Sequence, residues 1–404
     1  MNSNLMFTPN PGIHRFPERE SWSRSIEGIQ HIEQNSIEQG YFVFTMMPSL
    51  RCSLNCPHCY LTLDQRRNST IMSMADMEIA FSKVSTYFNE HLADKPKIII
   101  FYWYGGEPTE MGLPYFLSAF RLIDQYFPED KGFFVRHDIL TSLVAIEDHW
   151  YDVFKTYGRG QFQTSFDGLM RGRGYVKRWD KRVKEALSKD LRVSTISVVN
   201  HELFKDGPEA VIDYLTDLGI QEASFLPFML NEQNKGDKYE KFAPPMREYS
   251  QFMIKLTERW LELKKAGKEP PMIGQACFIL SRQKMEKEAN IAGQTLFLLP
   301  NGDFVLPDYR DGWLEYMQPF GNILNQTFQE VLTSPERRRY IRRQFTGNMN
   351  SECLSCEHKD HCIMEFWKEN RAGDDCFGAR DYVQWLVNHP EMGDWIDASK
   401  VMAS

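Results

Sequence analysis

Cys52, Cys56 and Cys59, in the run Arg51-Cys-Ser-Leu-Asn-Cys-Pro-His-Cys-Tyr60, constrain this chain more than any other feature. The apolar and β-branched run Tyr41-Phe-Val-Phe-Thr45 lies just upstream and reads as a buried strand that delivers three thiols into the loop at its end. Three thiolates on so short a loop can grip three irons of one cubane and leave the fourth open. An open iron can bind a ligand and pass it an electron. A structural zinc site is closed by four protein ligands. Here the fourth ligand would be His58, whose place inside the tight C-x2-C would strain such a site.

The 404 residues suffice for two or three ordinary domains or one large barrel with an extension. A formal net charge of −8 argues against a general nucleic-acid surface, which would be basic. The sequence holds no apolar run of membrane-spanning length and no signal peptide. The eight cysteines fall in metal-like spacings, which suits a reducing, cytoplasmic compartment better than a disulfide framework.

β and α patterns alternate after the cysteine loop. A helix opens at Ser73, with Asp76 placed for a capping interaction and Ile79, Ala80, Val84 and Phe88 at helical spacing. The run Ile98–Tyr104 is apolar throughout, as in a strand buried on both faces. It ends in Gly105-Gly106-Glu107-Pro108, where glycines allow close backbone approach to a ligand. Further strands are expected at Phe133–Leu140, Gln161–Ser165, Arg192–Val199 and Ala223–Phe228, with helices between them. Six strands joined by short β–α units make an incomplete (β/α)6 TIM-like barrel, whose active site lies at the C-terminal strand ends. A polar break at Asn231–Pro245, a helix over about 246–265 and a second linker at Lys265–Pro271 precede the remainder.

Downstream, Cys353, Cys356 and Cys362 read C-x2-C-x5-C, and Cys376 follows. Four thiolates hold a closed [4Fe–4S] cluster, and also a structural zinc. The arginines from Arg337 to Arg343 read as the solvated face of a helix.

The cysteine loop after the first strand and the Gly-Gly-Glu-Pro turn after the second together resemble the radical S-adenosylmethionine (SAM) superfamily. The C-terminal cysteines and the stretch Phe320–Pro335 resemble its SPASM extension, a small iron–sulfur domain related to the twitch type. The resemblance runs from about residue 40 to the C-terminus. It implies a lead-in over 1–40, a partial barrel over 41–235, a linker and helix over 236–270, and an auxiliary-cluster domain over 271–404. In the family, the open iron chelates the amino and carboxylate groups of SAM, and reductive cleavage releases a 5′-deoxyadenosyl radical.

Carried onto this chain, the resemblance nominates Cys52, Cys56 and Cys59 as cluster ligands. It also nominates His58, where the family usually has an aromatic residue beside the adenine, and the neighbouring Tyr60. Gly105, Gly106, Glu107 and Pro108 would hold the SAM amino group, and Ser142, Ser165, Asn200 and Arg171 the ribose and carboxylate. One auxiliary [4Fe–4S] cluster is expected on Cys353, Cys356, Cys362 and Cys376. A second is not, because Pro307 and Phe366 stand where cysteines are expected and Cys277 is left alone, as an inert buried thiol. Asp308 matches the base of sulfatase-maturing relatives. The implied substrate is a residue of a ribosomally made peptide, crosslinked, epimerised or oxidised. A small-molecule dehydrogenase or carbon-skeleton enzyme and a non-catalytic iron–sulfur protein are the alternatives. An electron donor such as flavodoxin or ferredoxin is implied, with no nucleic-acid or membrane partner. The N-terminus is short for a fused peptide-recognition domain, so a leader would be bound by the barrel or by a separate peptide-recognition protein.

Overall fold

The structure is a computed structural model that describes residues 37–231, 233–282, 291–306, 319–347, 355–358, 373–389 and 391–395. The elements of the barrel alternate in chain order: β1 (Tyr41–Met46), α1 (Leu63–Arg67), α2 (Met74–His91), β2 (Lys97–Trp103), α3 (Leu113–Tyr126), β3 (Phe133–Thr141) and α4 (His149–Thr156). They continue as β4 (Gln161–Ser165), α5 (Arg173–Leu187), β5 (Arg192–Val198), α6 (His201–Asp206), α7 (Pro208–Leu218) and β6 (Glu222–Leu226). The six strands pair in parallel in sequence order, as their connections require. β3 and β4 meet only at Leu140 and Thr141, so the wall is splayed at its base.

Strand alternation divides the side chains between two environments. Phe42, Phe44, Met46, Ile99, Phe101 and Trp103 are fully buried under the outer helices. Ile98 and Tyr102, one step along, face the lumen, and Ile98 is 42% exposed. β2 is therefore fully packed on its outer face, whereas its lumen face runs from exposed Ile98 through buried Ile100 to Tyr102, which borders a cavity. On α2, Ser73 caps Asp76 N at 3.0 Å as the sequence predicts. The buried stripe is Met77, Ala80, Phe81, Val84 and Phe88, while Ile79 stands one position off it and is exposed.

The expected break after residue 231 contains a short helix, α8 (Asp237–Phe242), before α9 (Met246–Lys265). Beyond it the chain re-enters the sheet at both edges. β7 (Met272–Ile273) pairs with β6. After α10 (Gly274–Arg282) and α11 (Ile291–Gln294), β8 (Thr295–Leu298) pairs in parallel with the far side of β1. β9 (Asp303–Val305) and β10 (Gly321–Asn322) continue as an antiparallel edge, giving among the described residues ten strands in the order β10-β9-β8-β1-β2-β3-β4-β5-β6-β7. A cut at residue 270 therefore passes through one continuous sheet.

Among the described residues four more helices follow: α12 (Phe328–Leu332), α13 (Pro335–Gly347), α14 (Arg380–Val387) and α15 (Glu391–Trp395). Thr327 and Glu330 close a capping box on α12. Phe328 packs on Phe42 with ring centroids 5.5 Å apart, and Lys83 of α2 donates to the carbonyls of Ile323, Leu324 and Gln326. Arg337 departs from the expected solvated face. It is buried, donates from Nη1 to Leu332 O at 2.7 Å and lies 3.6 Å from Glu38.

Candidate active site

At the C-terminal ends of the strands lies a cavity of about 440 Å³. Cys52, Cys56 and Cys59 all line it. Their loop leaves β1 and is held by backbone locks: Cys52 N donates to Arg66 O at 3.0 Å and Cys59 N to Cys56 O at 3.1 Å. The Arg66 guanidinium donates back to Leu54 O and Asn55 Oδ1. Glu110 accepts from Ser53 N at 2.8 Å and lies 3.6 Å from Arg51. Burial pushes the Cys52 thiol up to about 12 and Cys56 to about 11, and raises Cys59 as well. Iron binding must therefore displace these protons, since metal ligation deprotonates a thiol outright. Among the described residues no three His, Cys, Asp or Glu are gathered for a single metal ion; a cubane asks each cysteine for one iron of its own.

The Gly-Gly-Glu turn interlocks with that loop. Gly105 has φ +119°, and a Cβ there would lie 2.5 Å from Ser49 O. A Cβ on Gly106 would lie 2.0 Å from Arg51 O and 2.4 Å from Leu50 O. The glycines therefore make room for the cysteine loop, where the sequence argument assigned that room to a ligand. Glu107 N donates to Arg51 O at 2.8 Å across the same seam.

The Glu107 carboxylate is buried and held by neutral donors. Oε1 accepts from Thr109 Oγ1 at 2.6 Å, Thr141 Oγ1 at 2.7 Å and Thr109 N at 3.2 Å. Oε2 accepts from Ser142 N at 2.7 Å and from the Ser142 hydroxyl. All three hydroxyl protons point at the carboxylate, so this rim offers a ligand lone pairs and negative charge, which suits an ammonium group. Leu143, in the left-handed region at φ 63°, donates its N–H to Thr141 Oγ1 and closes the turn.

Across the cavity, the Asp167 carboxylate accepts from Arg171 Nε at 2.5 Å and Val198 N at 2.6 Å. Burial opposes the Arg171 charge, but Asp167 and the nearby Cys56 raise its pKa well above the usual value. A permanent cation thus sits beside the cluster loop, able to meet a carboxylate. Tyr175, under the guanidinium, donates to Ser165 O at 2.7 Å. His58 Nε2 lies 3.9 Å from Asp167 Oδ2, and its Nδ1 is buried with no hydrogen-bond partner. Burial, reinforced by Arg171 against the pull of Asp167, lowers its pKa to about 4, so the ring is neutral at pH 7.

The structure gathers His58, Tyr60, Gly105, Gly106, Glu107, Ser142, Ser165 and Arg171 around one cavity. Pro108 begins a 3-10 turn behind it. Asn200 corrects the expectation: it is fully buried and caps α6. Its Oδ1 accepts from Glu202 N and Leu203 N, and its Nδ2 donates to Asp167 O and Val198 O. An asparagine at a strand end followed by a helix carries that capping signal in the sequence. The expected site residues did not include Thr141, next to the nominated Ser142, or Asp167, two residues after the nominated Ser165. Nor did they include Phe297, which reaches the cavity from β8 and has no local signal at all.

Of the downstream candidates, Asp308, Cys353 and Cys362 lie outside the described residues, as do Pro307 and Phe366. Cys376 follows two buttressed aspartates. Asp374 accepts from Met246 N and Arg247 N at the start of α9; Asp375 accepts from Ser250 Oγ at 2.6 Å and Cys376 N at 2.7 Å. Cys356 is partly exposed, and Cys277 is fully buried in α10 as expected, with burial pushing its thiol up to about 12. No helix among the described residues is long and apolar enough to cross a membrane.

Residues 290–357 match the SPASM family, an iron–sulfur cluster-binding domain. The serine-type anaerobic sulfatase-maturating enzyme of Klebsiella aerogenes is 25% identical over 223 residues, 52% of this chain and 51% of that one. The Klebsiella pneumoniae enzyme of the same description is 24% identical over 52% of each chain. The chain thus spans about half the length of the curated relatives it matches. Among solved structures, native anSMEcpe with bound AdoMet and Cp18Cys peptide superposes with a TM-score of 0.68 at 16% identity, over 89% of this chain and 99% of that one. Streptococcus suis SuiB bound to precursor peptide SuiA gives 0.56 at 13% identity, over 89% and 80%.

Proposed function

We infer that this chain, which has the radical SAM fold with a SPASM iron–sulfur extension, cleaves SAM and takes a hydrogen atom from a residue of a peptide. One observation carries the reading: the three-cysteine loop is interlocked with the Gly-Gly-Glu turn at the mouth of one cavity, opposite a buried guanidinium. Cys52, Cys56 and Cys59 hold the SAM-binding [4Fe–4S] cluster. When bound, the cluster and SAM supply one-electron cleavage to a 5′-deoxyadenosyl radical. Glu107, with Thr141 and Ser142 orienting it, receives the ammonium end of SAM. Arg171, anchored by Asp167, receives the carboxylate end. His58, neutral and with an unpartnered Nδ1, meets the base.

One auxiliary cluster on Cys353, Cys356, Cys362 and Cys376 belongs to the same reading. So do Asp308 as a base, a division into lead-in (1–40), barrel (41–235), linker (236–270) and cluster domain (271–404), and a cytoplasmic setting with a flavodoxin- or ferredoxin-type electron donor. The peptide class is supported by the peptides bound to anSMEcpe and SuiB. A crosslink, an epimerisation and an oxidation are all compatible with it, and a leader would be bound by the barrel or by a separate recognition protein.

The test is formation of 5′-deoxyadenosine from SAM under dithionite by anaerobically reconstituted protein. The expected result is turnover by the native chain and none by the Cys52→Ala, Cys56→Ala, Cys59→Ala triple variant, with the auxiliary cluster retained. Undiminished product from the triple variant, or none from the fully loaded native protein, overturns the reading.

A further inference from the structure

One side of the cavity is a wall of rings. Tyr102 and Tyr104 stand at the end of β2 with their rings nearly parallel, 16° between planes and centroids 5.8 Å apart. Tyr60, directly after Cys59, adds a third ring 6.3 Å from Tyr104. Phe297 of β8 meets Tyr104 edge to face at 6.2 Å. All four line the cavity that holds the cluster loop. Strand register sets the row: Thr45 of β1 is flanked by Tyr102 on one side and Phe297 on the other. The Tyr102 hydroxyl donates to Gln163 Oε1 at 3.0 Å, which fixes the ring's tilt.

Charge decides what such a wall accepts. Glu107 and Asp167 are the carboxylates among the described lining residues, and both are engaged, the first by three hydroxyls and the second by Arg171 and Val198 N. Asp138 of β3, in register with Tyr102, is paired with Arg136 at 2.8 Å, so it too is engaged. A charged side chain entering there loses its water and finds no partner. A lone cation would gain the ring quadrupole, but with SAM bound the Glu107 carboxylate is assigned to its ammonium group and Asp167 is held by Arg171. An aromatic side chain instead gains buried area and ring-on-ring geometry against a preset platform.

We propose that Tyr60, Tyr102, Tyr104 and Phe297 form a substrate subsite that takes an aromatic side chain of the peptide and holds it beside the cluster loop. This rests on the peptide-modifying reading of the same cavity. It places a residue of the C-terminal extension, Phe297, in the choice of substrate. The extension then contributes recognition as well as a cluster.

The experiment uses reconstituted protein with its clusters, saturated with SAM, and titrates it calorimetrically with N-acetyl methylamides of Trp, Phe, Leu, Lys and Asp. Trp and Phe are expected to bind about ten-fold tighter than Lys and Asp, with Leu between, from stacking and area together. Phe297→Ala or Tyr104→Leu should cut the preference for Trp over Lys by roughly three-fold or more, and Tyr104→Phe, which keeps the ring, should restore it. Equal or tighter binding of Lys or Asp overturns the proposal. So does a preference unchanged in both ring deletions, or no measurable binding of any amide. 5′-Deoxyadenosine formation by the same preparation is read separately. Its absence beside an intact aromatic preference sinks the radical reading and leaves the subsite standing.

Discussion

The two faces of β1, β2 and β3 draw on similar residues and serve different ends. On the outer face Phe42, Phe44, Ile99, Phe101 and Trp103 have no exposure at all. On the lumen face Tyr41, Ile98 and Phe134 stand in register across the three strands and are 37%, 42% and 51% exposed. Higher on that face Tyr102 borders the cavity. One step along a strand reverses the direction of a side chain, so a ring serves the core or the site according to parity alone. Apolar character therefore says little here about role. What separates the faces is cover: helices pack on one, while the other is exposed at Tyr41, Ile98 and Phe134, closed at Thr45 and Ile100, and open to the cavity at Tyr102.

The sharpest way to break this division is at the seam where the site's two loops meet. Gly106→Val puts a branched side chain where a single Cβ already lies 2.0 Å from Arg51 O. The displaced atoms are backbone of the cysteine loop, so the loop itself must move. We expect loss of the SAM-binding cluster together with SAM affinity, while urea unfolding of the barrel changes little. Iron analysis, electron paramagnetic resonance and equilibrium dialysis check it. Full iron content with lost SAM binding would mean that the turn serves the ligand alone.

The barrel was legible because its signals are local. Alternating runs, a Ser73 cap and three closely spaced cysteines each act within a few residues. The cysteine loop and the Gly-Gly-Glu turn could be paired from their order after successive strands. What was not legible depends on contacts between distant segments. Nothing near Phe297 indicates that β8 lies against β1, more than two hundred residues away. The run Ile98–Tyr104 looks equally apolar on both faces, and only the closed curvature of the sheet reveals which face stays open. Asn200 and Arg337 mislead for a related reason. Arg337 gives no sign in sequence of whether solvent, a ligand or the fold takes up its hydrogen bonds, whereas Asn200 carries a capping signal that competes with a ligand role; in both cases the fold takes them up.

Next in size is a pair of ring substitutions. Phe101→Ala removes a fully buried ring packed between Phe44 at 5.4 Å and Phe127 at 5.4 Å, and should cost about 3–5 kcal/mol of stability. Tyr102→Phe, the adjacent residue, deletes one hydroxyl hydrogen bond and should cost about 0.5–1.5 kcal/mol. Denaturant titration of both variants measures the contrast. Comparable losses would show that the lumen face carries as much of the fold as the outer one.

The smallest effect separates the faces by acid. His137 lies on the outer side of β3, 6% exposed, stacked on Phe101 and accepting from Trp103 Nε1 at Nδ1, 3.3 Å away. Burial, helped by Arg159, lowers its pKa to about 3. The unfolded chain takes up this proton below about 6.5 and the folded chain does not. Stability is therefore complete above that pH and declines as pH falls from about 6.5 towards 3. The slope is about 1.4 kcal/mol per unit, or roughly 1.4 kcal/mol lost by pH 5.5. His58, lowered to about 4 at the cavity, acts in the same direction. His137→Gln keeps an acceptor for the Trp103 indole and removes the titration, so the stability difference between pH 7.5 and 5.5 should shrink by about that amount. The slope that remains belongs to His58 and the other groups that change protonation on unfolding. An unchanged difference would mean that His137 already takes up its proton in the folded chain, and that the outer face is less tightly closed than its packing indicates.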